Sequence, residues 1–290
     1  MEALRVNHFL FRSGSVEYDF ASRTHLVGVL NVTPDSFSDG GKYFDRSAAI
    51  EQGIRMAEEG ADIIDIGGES TRPGSDPIPL DEELRRVLPV ITELSGKVNV
   101  PISIDTYKPA VARKALEAGA TIINDISGLT FDPEMPGIAA EYGATVVIMH
   151  IKGLPKTMQE NPRYDDVVSE IKAFLEERIH RAEEHGVNQI IIDPGIGFGK
   201  NVGHNLEILR RLNELRELGY PVMVGPSRKS FIGMILNLPV DSRLEGTAAA
   251  VAVSILNGAN LVRVHDVLAM KRVALIVDAV KRGVPVRAPV

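Results

Sequence analysis

Polar residues stand at the ends of apolar runs throughout the sequence, and their types divide into two chemistries. Late in the chain, Ser227-Arg228-Lys229 follows "YPVMVGP", and Arg263 and His265 close "NLVRVH". Lysine and arginine suit phosphate oxygens, so this half of the set predicts a bound anion. Earlier runs end in Asp105, Asn124 and Asp193. These offer acceptors and donors but no nucleophile–base pair, and they match the amino and ring N–H edge of a heterocycle. A metal held by the two aspartates is the competing reading, weakened because no H-x-E or H-E-x-x-H spacing accompanies it. The other run ends carry Asn31, Glu69-Ser70-Thr71-Arg72 and His150. Each residue alone has a plain explanation as a turn or helix cap. Recurrence at the end of almost every run is poorly explained by capping, and it is the main signal of a site.

Two loops add detail. "DPGIGFGKN" from 193 is Gly-rich but lacks the spacing of a P-loop. It reads as backbone that passes close to a ligand, with Phe198 an exposed aromatic or, alternatively, packed on a neighbouring helix. Asn31 ends an apolar run and is followed by "VTPDSFSDGG", a polar loop suited to a lid.

The elements that must position these groups follow one plan. "GADIIDIG" at 60, "GATIINDIS" at 119, "GATVVIMH" at 143, "GVNQIIIDPG" at 186, "GYPVMVGPS" at 219 and "GANLVRVHD" at 258 each run from Gly through apolar residues to a polar one. The Gly suits a helix C-cap, and the unalternating run suits a parallel strand covered on both faces. "HLVGVLN" at 25 and "VPISIDT" at 100 supply two further strands. Helical spacing is read at 47–59, 81–95, 166–185, 205–218 and 243–257, in "KPAVARKALEAG", and weakly in "PEMPGIAAEYG". Eight strands alternating with helices predict a closed (β/α)8 TIM barrel, α/β in class, forming one domain over 1–290. The runner-up is an open doubly wound sheet, but no dinucleotide fingerprint follows the first strand. "FLFRSGSVEYDF" reads as a short N-terminal β-hairpin plugging the bottom of the barrel. In such barrels these strand ends converge at the C-terminal mouth.

Composition narrows the function. The 290 residues are 44% hydrophobic and 24% charged, ordinary for a globular chain. With no cysteine there is no disulfide, thiolate site or cysteine nucleophile, which fits a cytoplasmic setting. No signal peptide or membrane span is expected. A net charge of −7 without a basic cluster beyond "SRK" argues against nucleic acid, while a local group of cations still admits an anionic ligand.

"LNVTPDSFSDGG", "DIGGESTRPG", "SIDTYKP", "INDISG", "MH…G.P.TMQ.NP.Y", "DPGIGFGK", "SRKSFIG" and "RVHD" together resemble the dihydropteroate synthase family of pterin-binding barrels, in order and over about residues 25–270. Pro226 and Ile151 are small departures that replace no motif side chain. The resemblance implies condensation of 6-hydroxymethyl-7,8-dihydropterin diphosphate with 4-aminobenzoate, giving 7,8-dihydropteroate and diphosphate. It implies that Asn31 helps hold Mg2+ and the diphosphate. It places Asp105, Asn124, Asp193 and Lys229 on the pterin, with Arg263 against the pterin and, like His265, on the diphosphate. Thr71, Arg72, Phe198 and Ser230 fall on the aminobenzoate side. Asn31, Lys229, Arg263 and His265 are its catalytic set. Two alternatives share the pterin residues: a pterin-dependent methyltransferase and a non-catalytic pterin-binding protein. The resemblance also implies a homodimer, and "GTAAAVAVSILNG" at 246–258, apolar nearly all round, is the expected interface helix. Loops 33–41 and 69–79 are expected to be mobile without substrate and ordered with it.

Overall fold

The computed structural model describes residues 8–14, 16–33 and 46–283. Eight parallel strands form one sheet: β3 (His25–Asn31), β4 (Ile63–Gly67), β5 (Ile102–Asp105), β6 (Ile122–Asp125), β7 (Thr145–Met149), β8 (Ile190–Asp193), β9 (Met223–Val224) and β10 (Leu261–Val264). Their order is β8-β7-β6-β5-β4-β3-β10-β9. A parallel bridge between Ile192 and Val222 joins the two outer strands and closes the sheet into a barrel. The TIM-barrel expectation is therefore met. The seam lies at β9, the shortest strand.

Helices cover the outside: α1 (Arg46–Glu58), α2 (Leu80–Ser95), α3 (Pro109–Glu117), α4 (Met135–Tyr142), α5 (Val167–Glu184), α6 (Val202–Arg210), α7 (Ser230–Leu236), α8 (Leu244–Leu256) and α9 (Val267–Arg282). The stretch read as one helix over 205–218 is split. Asn201 caps an earlier start, accepting from His204 N–H at 2.8 Å. The helix ends at Arg210, and Leu212–Leu218 continues as a 3-10 helix up to Gly219. α9 has no counterpart in the sequence reading, which places helices between strands; among the described residues no strand follows it.

Side chains alternate between barrel interior and outer layer along each strand. The inward residues form a low apolar layer of Val27, Ile63, Ile122, Val147, Ile191, Met223 and Leu261. Strands β1 (Leu10–Ser13) and β2 (Val16–Asp19) pair antiparallel as the expected hairpin. Phe11 and Phe20, each 2% exposed, pack against that layer and close the barrel's N-terminal end. Burying each contributes on the order of 1.5–3 kcal/mol. With the floor sealed, the inward polar positions two to four residues further along β3, β4, β5, β6, β8 and β10 open only toward the C-terminal mouth.

Candidate active site

Strand register turns the alternation into a row of functional groups. Asn31 pairs with Gly67, Gly67 with Asp105, and Asp105 with Asn124. Met149 pairs with Asp193. Partners in a parallel ladder point the same way, so Asn31, Asp105, Asn124 and Asp193 all face inward at the mouth. A cleft of about 350 Å³ opens there, lined among others by Thr71, Asp105, Asn124, Asp193, Phe198, Lys229 and Arg263. Seven of the predicted residues are thus assembled in one place. Asn31, Arg72, Ser230 and His265 lie outside that lining set.

Arg263 is fixed from below. Its Nε donates to Asp65 Oδ2 at 2.6 Å and its Nη2 to Asp105 Oδ2 at 2.7 Å. Asn124 Nδ2 donates to the same Asp65 oxygen at 2.9 Å. Burial works against the Arg263 charge, but Asp65 and Asp105 more than offset it and hold the guanidinium protonated. Burial raises the Asp105 carboxyl against the pull of Arg263, and Asp65 reinforces the rise. Asp105 Oδ1 is buried with no partner among the described residues, and unpaired buried acceptors are costly. Burial also lifts Asp193 to about 6, opposed by the Gly195 N–H and by Lys229. Gly195 N–H occupies only Asp193 Oδ1, at 2.7 Å. On the residues that line the cleft, three acceptors therefore remain for a ligand: Asp105 Oδ1, Asn124 Oδ1 and the second Asp193 oxygen.

The cationic side is built differently. Lys229 makes no ion pair or hydrogen bond through its ammonium among the described residues; its Nζ lies 4.1 Å from the Phe198 ring centre. Burial, and then the neighbouring Arg263 charge, push it down to about 8, against Asp193 and Asp105. Arg228 presents it from a left-handed turn, with φ 58°. That turn is held by Arg228 N–H on Thr247 Oγ1 at 3.1 Å and by the guanidinium on Asp266 at 2.7 Å. Arg228, expected on the anion side, is committed to Asp266. His265 N–H donates to Ser227 Oγ at 3.2 Å, and that hydroxyl lies 3.0 Å from His265 Nδ1. Nδ1 is the available acceptor for the buried hydroxyl proton, which puts the ring proton on Nε2. Burial, then Arg263 and Arg228, push His265 down to about 3. At pH 7 it is a neutral donor and adds no charge of its own.

The rim corrects one expectation. Phe198 is 9% exposed and packs with Ile126, Met149, Ile151 and Met158. It is an apolar wall of the cleft, not an exposed aromatic. Two glycines of its loop also serve the protein's own backbone: a Cβ on Gly195 would stand 1.9 Å from His150 O, and one on Gly199 2.3 Å from Lys152 O. Buried Lys200 binds that turn, donating to Phe198 O at 2.8 Å and meeting His150 Nδ1 at 2.9 Å. His150 is thereby a loop anchor and does not line the cleft. Thr71 faces the cleft, while Arg72 and Ser230 stand exposed at its rim.

Loop 33–41 lies outside the described residues from position 34 on. Loop 69–79 is tied down at its base and across its turn, where Ser75 Oγ donates to Ser70 O at 2.6 Å. Sequence reasoning missed Asp65, which is 1% exposed inside β4. The signal that would have found it is a pair of opposite charges, Asp65 and Arg263, at inward alternates of buried strands. No group of three or more His, Asp or Glu side chains among the described residues forms a metal cage. Asn31 remains as a candidate oxygen ligand: its side chain has no hydrogen bond among the described residues. Magnesium, which takes few protein oxygens and completes its sphere with phosphate and water, fits such a position.

A family model for pterin binding enzymes matches residues 27–265. The dihydropteroate synthase of Synechocystis is 48% identical over 272 residues, covering 93% of this chain and 94% of that protein. The crystal structure of Yersinia pestis dihydropteroate synthase in a sulfonamide drug complex superimposes with a TM-score of 0.89 at 41% identity, covering 94% of this chain and 99% of that one. The Xanthomonas albilineans dihydropteroate synthase structure with 4-aminobenzoic acid gives 0.86 at 45% identity, covering 93% and 96%.

Proposed function

The chain belongs to the dihydropteroate synthase family of pterin-binding enzymes, and we propose that it performs that family's reaction with the groups gathered at the barrel mouth. The reaction joins 6-hydroxymethyl-7,8-dihydropterin diphosphate to 4-aminobenzoate and releases diphosphate. One observation carries the assignment of roles. The three free acceptors on Asp105, Asn124 and Asp193 lie in one cleft with Lys229, a cation that nothing else claims. An aminopyrimidinone ring presents an amino group and ring N–H on one edge and carbonyl and ring nitrogen acceptors on another. The acceptor row suits the first edge and the Lys229 ammonium the second. The Arg263 guanidinium, held flat by two carboxylates, offers a face on which a ring can stack.

In the reaction the exocyclic C–O bond to diphosphate breaks and a C–N bond to the arylamine forms. The amine is neutral and nucleophilic at pH 7 and releases its proton to solvent, so no strong base is required. What the protein must supply is stabilisation of the leaving group's charge. His265 can donate Nε2–H to the leaving group, and Lys229, bonded to the ring's carbonyl edge, puts a positive charge in the same cleft. Magnesium, held by Asn31 and the diphosphate oxygens, would add positive charge there. Phe198 and the neighbouring methionines exclude water from one side of the cleft. Thr71, Arg72 and Ser230 sit at the rim where the carboxylate of 4-aminobenzoate would lie.

We extend the proposal to a homodimer built on α7, α8 and α9. α8 exposes Leu244, Val253 and Leu256, and α9 exposes Leu275, Ile276 and Val280 at 59%, 67% and 71%. The two helices pack side by side, so their stripes make one apolar face, larger than a monomer ordinarily presents to water. The cysteine-free composition suits the reducing cytosol, the compartment we assign. Release of diphosphate measured with and without 4-aminobenzoate, alongside dihydropteroate, tests the function. Equal production of both products, dependent on 4-aminobenzoate, is expected. No product from folded protein with Mg2+ would leave pterin binding without catalysis.

A further inference from the structure

The loop from β4 to α2 carries Thr71 and Arg72, and both of its ends are held by one ammonium. Lys108 Nζ donates to Glu69 Oε2 at 2.5 Å, where the loop begins, and to Ile78 O at 2.9 Å, where it ends. Its third contact is Glu83 Oε2 on α2, at 2.5 Å. An ammonium has three N–H donors, and all three are used. Glu69 Oε2 also accepts from Ile78 N–H at 3.0 Å, and Tyr107 donates its hydroxyl to the other Glu69 oxygen. Glu83 Oε1 accepts from Thr106 Oγ1 at 2.7 Å. The two carboxylates are 6% and 1% exposed, so the cluster is shielded from solvent and sits beneath the loop. None of its members lines the cleft. Lys108 lies three residues after Asp105, so one turn bears both a pterin acceptor and the anchor of the neighbouring rim loop.

We propose that Lys108 is a positioning residue for 4-aminobenzoate. It touches no substrate. It closes the base of segment 69–78 and thereby sets where Thr71 and Arg72 stand relative to the pterin's reacting carbon. The inference rests on the reading that these two side chains face the aminobenzoate. A residue that only stabilised the fold would, when lost, affect both substrates alike. Loss of this anchor should fall on one of them, because Asp105 is held separately by Arg263 and by its own strand.

Lys108→Met and Glu69→Gln test it. The first leaves two buried carboxylates without their cation and carries a risk of misfolding. The second keeps Lys108 paired with Glu83 and preserves the shape of the anchor. In either variant KM for 4-aminobenzoate should rise about ten-fold or more, while Kd for the pterin diphosphate with Mg2+ stays within about two-fold. Hydrogen exchange should quicken at residues 70–77 and remain unchanged at 102–105. Arg72→Ala is the control for the underlying reading, and it should raise the same KM. If Arg72→Ala has no effect, the aminobenzoate placement itself fails. If Arg72→Ala raises KM and the folded anchor variants do not, or if they lose pterin affinity equally, Lys108 has no positioning role.

Discussion

Replacing Lys229 with methionine should damage catalysis and stabilise the free protein, an uncommon combination. The ammonium is pushed from 10.5 to about 8 in the folded state, chiefly by burial and Arg263. At 1.36 kcal/mol per unit, folding the charged form therefore costs roughly 3 kcal/mol. Below pH 8 both states hold the proton and the full penalty is present. Between about 8 and 10.5 the unfolded chain holds the proton and the folded one does not, so stability rises with pH and the penalty fades. Methionine removes the penalty. It also removes the cation over Phe198, worth about 0.5–1 kcal/mol, and the field that favours ionised Asp105 and Asp193. The net gain at pH 7 should be about 1–2 kcal/mol, or roughly 2–4 °C in Tm for a chain of this size. Against that, loss of a leaving-group cation should cost about 2–4 kcal/mol in the transition state, lowering kcat/KM about 30- to 900-fold. Calorimetric Tm at several pH values and diphosphate release on the same preparations give both numbers. A variant less stable than the wild type at pH 7, a Tm gap that does not shrink above pH 8, or kcat/KM within about three-fold would refute the reasoning.

Three further outcomes are expected. Asp65→Asn takes one carboxylate from Arg263 and should lower kcat/KM by about 10- to 100-fold, the scale of a charge-assisted hydrogen bond; unchanged kinetics would mean Asp105 alone orients the guanidinium. The protein should sediment as a dimer at micromolar concentration and Ile276→Glu as a monomer, whereas a monomeric wild type would reject the α7–α9 interface. Calorimetry should show 4-aminobenzoate binding tighter by about 1–3 kcal/mol once diphosphate and Mg2+ are present, with the gain lost in Asn31→Ala; equal affinities with and without diphosphate would mean a preformed pocket.

The fold was legible because each strand announces itself by Gly, apolar run and polar end, and Asp105, Asn124 and Asp193 were visible as those ends. Asp65 was not, since a charge in mid-run looks like a surface residue until the strand's inward alternate is known. Arg228 and Lys229 are neighbours in sequence and looked equivalent. A positive φ separates them, sending one to Asp266 and the other into the cleft, and no sequence pattern encodes that turn. Phe198 looked exposed because it stands among glycines; their close approach to the His150 and Lys152 carbonyls folds the loop inward. α9 escaped because no strand follows it among the described residues to complete a repeat.

The central claim is that the acceptors on Asp105, Asn124 and Asp193 read the amino edge of the pterin and Lys229 its carbonyl edge, while His265 faces the diphosphate. A crystal structure of the protein with 6-hydroxymethylpterin diphosphate and Mg2+ tests it most directly. The account predicts the ring within hydrogen-bond reach of all three acceptors and of Lys229 on its carbonyl edge, stacked on Arg263, with phosphate oxygens toward His265 and Asn31. A ring turned with its amino edge to Lys229, or bound outside the mouth, would contradict it.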